Sequence, residues 1–174
     1  KAPGTFQHSM QVSNLATAVA AKIGANASLI RTGALYHDIG KMVNPVFFTE
    51  NQSPGMNPHA GLPFEESARI VINHVKDGVK LAKQNGLPRQ IIDFIETHHG
   101  TSIPRYFYVS WKNANPDKEI NDEVFRYPGP NPFTKETAIM MMADSVEAAS
   151  RSLTEYSEET LRNLVNRIID TQVE

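Results

Sequence analysis

Apolar residues recur along most of the chain at intervals of three and four, which is the spacing of one face of an α-helix. The first such segment runs from His8 to Ile23 and ends at Gly24. The second follows Asn26, a residue type that caps helices, and runs through His37 toward Gly40. The apolar positions that define the first helix are Val12, Leu15, Ala16, Val19 and Ile23.

Five further helical segments are predicted, and two proline-rich stretches interrupt the series. The segments are Phe64 to Gln84 with a break near His74, Arg89 to His99, Tyr106 to Trp111, Thr134 to about Leu153 and Ser157 to about Ile169. The proline-rich stretches, Asn44 to Pro63 and Asn115 to Pro132, are predicted to be long irregular loops. Because no segment alternates long enough to build a sheet, the predicted fold class is an all-α helical bundle with two long irregular loops.

The composition is that of one folded globular domain, expected to span residues 1–174. With 40% hydrophobic and 21% charged residues, disordered and low-complexity classes are excluded. The net charge of −2 gives no general field that favours a DNA or RNA polymer, so an anionic substrate must be held by local chemistry. The absence of cysteine excludes disulfides, thiolate zinc sites and iron–sulfur clusters, which leaves nitrogen and oxygen as metal ligands.

Histidines and aspartates carry the candidate chemistry. Two doublets occur, His37-Asp38 and His98-His99, and Asp144 follows a methionine-rich run in which an unpaired carboxylate would be costly. Taken singly, each of these residues is more commonly structural, and Asp144 has Arg151 as a possible salt-bridge partner. Their joint order, H, HD, H, HH, D, favours a metal site, because imidazole with carboxylate suits iron, manganese, zinc or cobalt. Two ions about 3.5–4 Å apart, bridged by a carboxylate such as Asp38, are common in phosphodiester hydrolysis.

The segments around these residues carry a resemblance to a known family. They read PGTFQHSMQVSNLA, YHDIGK, HVKDGVKLAK, HHGTS, FRYPGPNPFTKE and ADSVEAASRSL. They resemble the cytosolic HD domain of the seven-transmembrane HD family, the PgpH-type cyclic-di-AMP phosphodiesterases, from Ala2 to about Leu153. The resemblance implies a single HD domain at the cytoplasmic face of a multipass membrane protein. The chain begins with Lys1 rather than Met and holds no apolar run of roughly 18 residues, so we expect a soluble piece of a longer protein.

The resemblance also implies a ligand set. One divalent ion is expected to be held by His8, His37, Asp38 and Asp144. A second is expected to be held by Asp38, His74, His98 and His99, and the family points to iron or manganese. A water activated by these ions is the expected nucleophile on cyclic-di-AMP, with linear pApA as the product. His59 has no counterpart in the pattern and is not expected to bind metal.

Other residues are candidates for catalysis and substrate binding. Lys41 is expected to contact the phosphate as a point charge, although a helix-capping cation is an equal alternative. Aromatic faces for the two bases are expected from Tyr106, Tyr108 and Trp111, whereas Phe107 is expected in the core. The remaining predicted substrate contacts are Thr101, Arg126 and Tyr127.

Three alternative functions use similar residues. Cyclic-di-GMP phosphodiesterases of the HD-GYP type carry a Glu after the histidine pair and a downstream Gly-Tyr-Pro, whereas here His99 is followed by Gly100. A phosphohydrolase of another nucleotide, such as a dinucleoside polyphosphate, fits the same ligand set. A metal- or nucleotide-binding sensor with little turnover is a third possibility. The sequence does not address the oligomeric state.

Overall fold

The computed structural model describes residues 1–173, and within this range the chain forms α-helices and no β-strand. The α-helices are α1 (Pro3–Ile23), α2 (Ala27–Tyr36), α3 (Phe64–Gln84), α4 (Arg89–Thr97), α5 (Arg105–Ala114), α6 (Lys135–Ser150) and α7 (Glu158–Val173). The predicted all-α class is therefore confirmed. Both predicted loops contain short 3₁₀ helices, which are Pro45–Phe47, Thr49–Asn51 and Asp122–Phe125, and another, Ile39–Met42, follows the first doublet.

The helix α3 is continuous, and the predicted break near His74 is wrong. His74 lies inside the helix, and its Nδ1 lies 2.6 Å from the carbonyl oxygen of Val71, one turn earlier. No proline interrupts Phe64–Gln84, so every residue after the first turn can keep its backbone hydrogen bond. The helix α2 ends at Tyr36, earlier than predicted, and His37 is its C-terminal cap.

The helix α1 buries a different face from the one that its large apolar residues predict. Leu15, Val19 and Ile23 are 39%, 38% and 55% exposed. The buried positions are mostly small or polar: Thr5, His8, Ser9, Val12, Ser13, Ala16 and Ala20. The Ser13 hydroxyl donates to the carbonyl oxygen of Arg31 on α2 at 3.0 Å. Small side chains allow the two helices to lie close together, and this close packing determines the buried face.

Two groups of buried apolar residues flank the histidines. The first lies between α1, α2, α4 and α6 and contains Val12, Ile30, Ala34, Phe94 and Met140. The second lies between α3, α5 and the second loop and contains Ala68, Val75, Phe107 and Phe125. Phe107 is therefore a core residue, as predicted. The helix α7 packs on α6. No helix within residues 1–173 combines the length and the hydrophobicity that a membrane crossing needs.

Candidate metal centre

Five segments bring the predicted ligands together between the two groups of core residues. The contributing elements are α1 with His8, the end of α2 with His37 and Asp38, α3 with His74, the end of α4 with His98 and His99, and α6 with Asp144. All of these residues are buried except His99, which is half-buried. Doublets fall at helix ends because the change in backbone direction there lets two adjacent side chains face one point.

The carboxylate of Asp38 lies at the middle of the cluster. Its Oδ1 is 3.3 Å from Nε2 of His74 and 3.4 Å from Nε2 of His98. Its Oδ2 is 3.5 Å from Nε2 of His8 and 3.3 Å from Nε2 of His37. Each oxygen thus faces a separate pair of imidazoles, which is the arrangement that a bridging carboxylate needs.

The two sides of Asp38 are completed by different residues. On one side, Oδ1 of Asp144 lies 2.8 Å from Nε2 of His8 and 3.5 Å from Nε2 of His37. On the other side, His99 joins Asp38, His74 and His98 in a group whose potential ligand atoms all lie within 4.8 Å of one another. The structure therefore brings the seven predicted ligand residues together in the two predicted sets.

The donor atoms of this cluster fit divalent metal ions. Nε2 of His37 and Oδ1 of Asp38 are buried without a hydrogen-bond partner. Buried polar atoms without partners are rare and need an explanation, and a bound cation provides one. Neutral imidazole and carboxylate are suitable ligands for a divalent first-row metal. The residues present therefore fit the metal ions that the resemblance implies.

The charges in the protein without metal also favour the binding of cations at the cluster. Burial alone would lower the pKa of His37, but the carboxylates of Asp38 and Asp144 outweigh it and raise the pKa to about 10. Burial would raise the pKa of Asp38, yet Lys41 and His37 hold it well below its usual range. The carboxylates are therefore ionised and draw positive charge into the cluster.

Lys41 is fixed at the edge of the cluster by two acidic side chains. Its Nζ forms an ion pair with Oδ2 of Asp38 at 2.7 Å and donates a hydrogen bond to Oε1 of Glu50 at 2.9 Å. Nζ also lies 5.1 Å from the centre of the Phe48 ring. Glu50 comes from the first loop and accepts a hydrogen bond from the Thr5 hydroxyl of α1 at 3.1 Å. The loop is thereby tied to the cluster through Lys41.

Two of the cavities near the cluster share part of their lining. The smaller, of about 310 Å³, is lined by residues that include His8, Lys41, His99, Asp144 and Arg151. The larger, of about 630 Å³, includes five aromatic residues in its walls, which are Phe47, Phe48, Phe64, Tyr106 and Phe107. Both are lined by Thr49 and Glu50, so they meet at the first loop. An anionic group and a flat apolar group of one ligand could occupy the two cavities together.

The predicted substrate contacts are dispersed. Tyr106 lines the larger cavity and is 73% exposed, whereas Tyr127 is buried, with its ring stacked on that of His99 at 4.2 Å. Three others lie away from the two cavities, within the described part of the chain. The Tyr108 hydroxyl donates to Asp122, Thr101 donates to Asn131, and Arg126 donates to the Thr101 carbonyl oxygen. The ring of His59 lies between those of Phe47 and Phe107, outside the metal cluster.

Glu50 and Glu147 lie at the cluster but were not predicted from the sequence. Arg151 was expected only as a salt-bridge partner of Asp144. Glu147 contacts Nδ1 of His8, and Arg151 donates to both carboxylate oxygens of Glu147. The spacing of Asp144, Glu147 and Arg151 places all three on one face of a helix and could have indicated Glu147. Glu50 has no such signal, because its position depends on the path of the loop.

Comparisons with known proteins identify the family of this chain. The HD domain family model matches residues 5–149. The cyclic-di-AMP phosphodiesterase PgpH of Listeria monocytogenes is 50% identical over 169 residues, which are 97% of this chain and 23% of that protein. PgpH of Bacillus subtilis is 43% identical over 172 residues, which are 99% of this chain and 24% of that protein. The chain thus spans about a quarter of the length of these relatives.

A solved structure extends the likeness to three dimensions. The HD domain of L. monocytogenes PgpH in complex with cyclic-di-AMP superposes with a TM-score of 0.94 at 48% identity. The match covers 99% of this chain and 80% of that one. The family model and the similar solved structure agree, and the chain belongs to the HD-domain family.

Proposed function

We propose that the chain is a metal-dependent phosphodiesterase that hydrolyses cyclic-di-AMP to linear pApA. The observation that carries the proposal is the position of Asp38, whose two oxygens face two separate pairs of imidazoles. The PgpH proteins of two species, which are 50% and 43% identical to this chain, bear the name cyclic-di-AMP phosphodiesterase. A similar HD domain has been solved with cyclic-di-AMP.

Two divalent ions, iron or manganese, are the proposed cofactors. One ion would be held by His8, His37, Asp38 and Asp144, and the other by Asp38, His74, His98 and His99. When bound, the ions would supply an activated water and neutralise charge on the phosphate oxygens. The unpartnered Nε2 of His37 and Oδ1 of Asp38 support this ligand set.

The charges around the cluster support an anionic substrate once metal is present. Four carboxylates, from Asp38, Glu50, Asp144 and Glu147, surround two cations, Lys41 and Arg151. Without metal, His37 is also protonated, because its pKa is raised to about 10, and negative groups still exceed positive ones by one, so a phosphodiester would be repelled. Two divalent ions would reverse that sign, so substrate binding is expected to require loading with metal.

Individual side chains have proposed roles toward the substrate. Lys41 has three N–H groups, of which two are used by Asp38 and Glu50, and the third is proposed to donate to a phosphate oxygen. The aromatic cavity beside Phe48 is proposed to take one adenine, with Tyr106 at its edge. Tyr127 is proposed to act through His99, on which it stacks. Thr101, Tyr108 and Arg126 would act only if the second loop closed over the substrate.

The surroundings of the domain are also a proposal. We infer that the chain is the HD domain of a larger multipass membrane protein and faces the cytoplasm. The support is its high identity to part of the longer PgpH relatives. Fractionation of cells that express the full-length protein would test this, and recovery only in the soluble fraction would contradict it.

Hydrolysis of cyclic-di-AMP, followed by chromatography, tests the proposed activity. Metal-stripped protein would be reconstituted with Mn²⁺ or Fe²⁺, and cyclic-di-GMP, ATP and a short RNA would be assayed in parallel. We expect metal-dependent formation of pApA, which Asp38→Ala abolishes. Asp170→Ala changes an exposed aspartate on α7 and serves as the matched control.

Each other outcome overturns a particular part of the proposal. Binding of cyclic-di-AMP without turnover, with either metal, would indicate a sensor. Turnover of another nucleotide or of RNA in preference would retain the metal chemistry and discard the substrate. Turnover that is unaffected by Asp38→Ala would discard the site.

A further inference from the structure

Three of the clustered histidines are oriented by their own helices. Nδ1 of His37 lies 2.6 Å from the carbonyl oxygen of Ala34, and Nδ1 of His98 lies 2.8 Å from that of Ile95. Nδ1 of His74 makes the same contact to the residue three positions earlier. Each of these hydrogen bonds turns Nε2 toward Asp38. Because their partners are backbone groups, no side chain is needed to orient these rings.

His8 is oriented differently. Its Nδ1 contacts Oε2 of Glu147, a residue of α6 that lies 139 positions later in the chain, and also lies 2.8 Å from Nη2 of Arg151. Its Nε2 faces the cluster, 2.8 Å from Oδ1 of Asp144. Among these four rings, His8 is the one whose outer nitrogen meets a carboxylate.

Glu147 is itself held firmly. It is buried, and Arg151, one turn later on the same side of α6, donates to it. Nη2 of Arg151 lies 2.8 Å from Oε1 and 2.6 Å from Oε2, and Nε lies 3.0 Å from Oε1. Glu147 also follows Asp144 by three residues, so one face of α6 carries a proposed metal ligand and the group that orients another.

We propose that Glu147 is a positioning residue that fixes the ring of His8 and strengthens one of the two metal sites. A histidine that binds metal through Nε2 carries its proton on Nδ1, and a carboxylate there fixes the tautomer and raises the basicity of the ring. Glu147 is not a direct ligand in this arrangement, because it meets the ring at Nδ1 while Nε2 faces Asp38 and Asp144. The inference rests on the proposed metal centre and does not depend on the substrate.

Titration of the metal-stripped full chain with Mn²⁺ tests this, with free Mn²⁺ measured by electron paramagnetic resonance. The unchanged chain is expected to bind two ions. Glu147→Ala is expected to weaken one site by about 10- to 100-fold and to leave the other within about twofold. Glu147→Gln keeps an oxygen acceptor for Nδ1 and is expected to weaken that site less. Glu159→Ala, at an exposed position of α7, is the matched control.

A double-mutant cycle separates positioning from general damage to the fold. In a His8→Ala background the ring that Glu147 orients is gone, so Glu147→Ala is expected to cause no further loss of Mn²⁺ affinity. An equal loss in both backgrounds, or equal weakening of both sites, would overturn the proposal. Two sites of unchanged Mn²⁺ affinity in Glu147→Ala would also overturn the proposal. A parent chain that binds no Mn²⁺ would refute the metal centre itself, whereas failure to hydrolyse cyclic-di-AMP would leave the Mn²⁺ result intact.

Discussion

A close approach of two backbone segments beside the candidate metal centre occurs at Gly40. This residue is buried in the 3₁₀ helix Ile39–Met42, two positions after Asp38. A Cβ added there would lie 1.8 Å from the carbonyl oxygen of His74 and 2.5 Å from the backbone nitrogen of Gly78. Both neighbours are backbone atoms of α3, so they cannot turn away as a side chain could. Gly40→Ala must therefore move the segment that carries Asp38 away from α3.

The size of that movement follows from the contact. A Cβ almost never lies closer than 3.0 Å to another heavy atom, so the segments must separate by about 1.2 Å, which close packing elsewhere opposes. Catalytic and metal sites tolerate displacements of only about 0.5 Å. The 3.3 Å spacing between Oδ1 of Asp38 and Nε2 of His74 would be lost. Overpacking of this kind is also expected to reduce the free energy of unfolding by about 1–3 kcal/mol.

Mn²⁺ titration and urea unfolding of Gly40→Ala measure both effects. Gly24→Ala is the matched control, because Gly24 has a φ of +70° and nothing lies within 4 Å of its added Cβ. Left-handed backbone costs an alanine roughly 1–2 kcal/mol, so the two variants should lose similar stability. Only Gly40→Ala is expected to lose Mn²⁺ affinity. If Gly40→Ala keeps two sites of parental affinity, or if Gly24→Ala loses as much affinity, the reasoning from this contact is refuted.

Three further predictions concern the surroundings of the centre. Tyr127→Leu removes the ring stacked on His99 and is expected to weaken one Mn²⁺ site, whereas Tyr127→Phe keeps the ring and the affinity; equal titrations for both would contradict this. Metal at 100 times its Kd should stabilise the fold by about 2.7 kcal/mol per site, so a chelator should lower Tm in thermal unfolding, and an unchanged Tm would argue against bound metal. Lys41→Met leaves Asp38 and Glu50 without their cation. A hydrogen bond to a charged group contributes about 1.5–3 kcal/mol, so losing the one from Lys41 to the substrate is expected to lower kcat/KM for cyclic-di-AMP by about 10- to 150-fold. An unchanged kcat/KM would remove Lys41 from the proposed machinery.

The helices could be predicted from the sequence better than the faces that they bury. Caps and glycine stops located the helices well, because they act over one turn of chain. The buried face of α1 could not be located by large apolar residues. Its close contact with α2 requires small side chains such as Ser9 and Ser13, and that requirement comes from the neighbouring helix.

The same distinction applies to the candidate centre. Ligands that are adjacent in sequence could be predicted, whereas residues whose partners are distant in sequence were harder to predict. The doublets His37-Asp38 and His98-His99 are visible because adjacent ligands at a helix end leave a local pattern. Glu147 left only a weak pattern, since its partner His8 lies 139 residues away. The predicted contacts of Thr101 and Tyr108 rested on residue type alone, which does not determine the direction of a side chain.

The position of Asp38 relates the packing of the fold to the separation of the proposed ions. The helices that pack around the first group of core residues carry His8, His37 and Asp144. The two histidines face Oδ2 of Asp38, and Asp144 lies beside His37. His74 and His98 come from α3 and the end of α4 and face Oδ1. A carboxylate has a fixed distance between its oxygens, so it can bridge two ions only if both sides are held at a constant spacing. Gly40 allows the close contact between the segment that carries Asp38 and α3, so we expect backbone packing, as well as the ligands themselves, to determine metal binding.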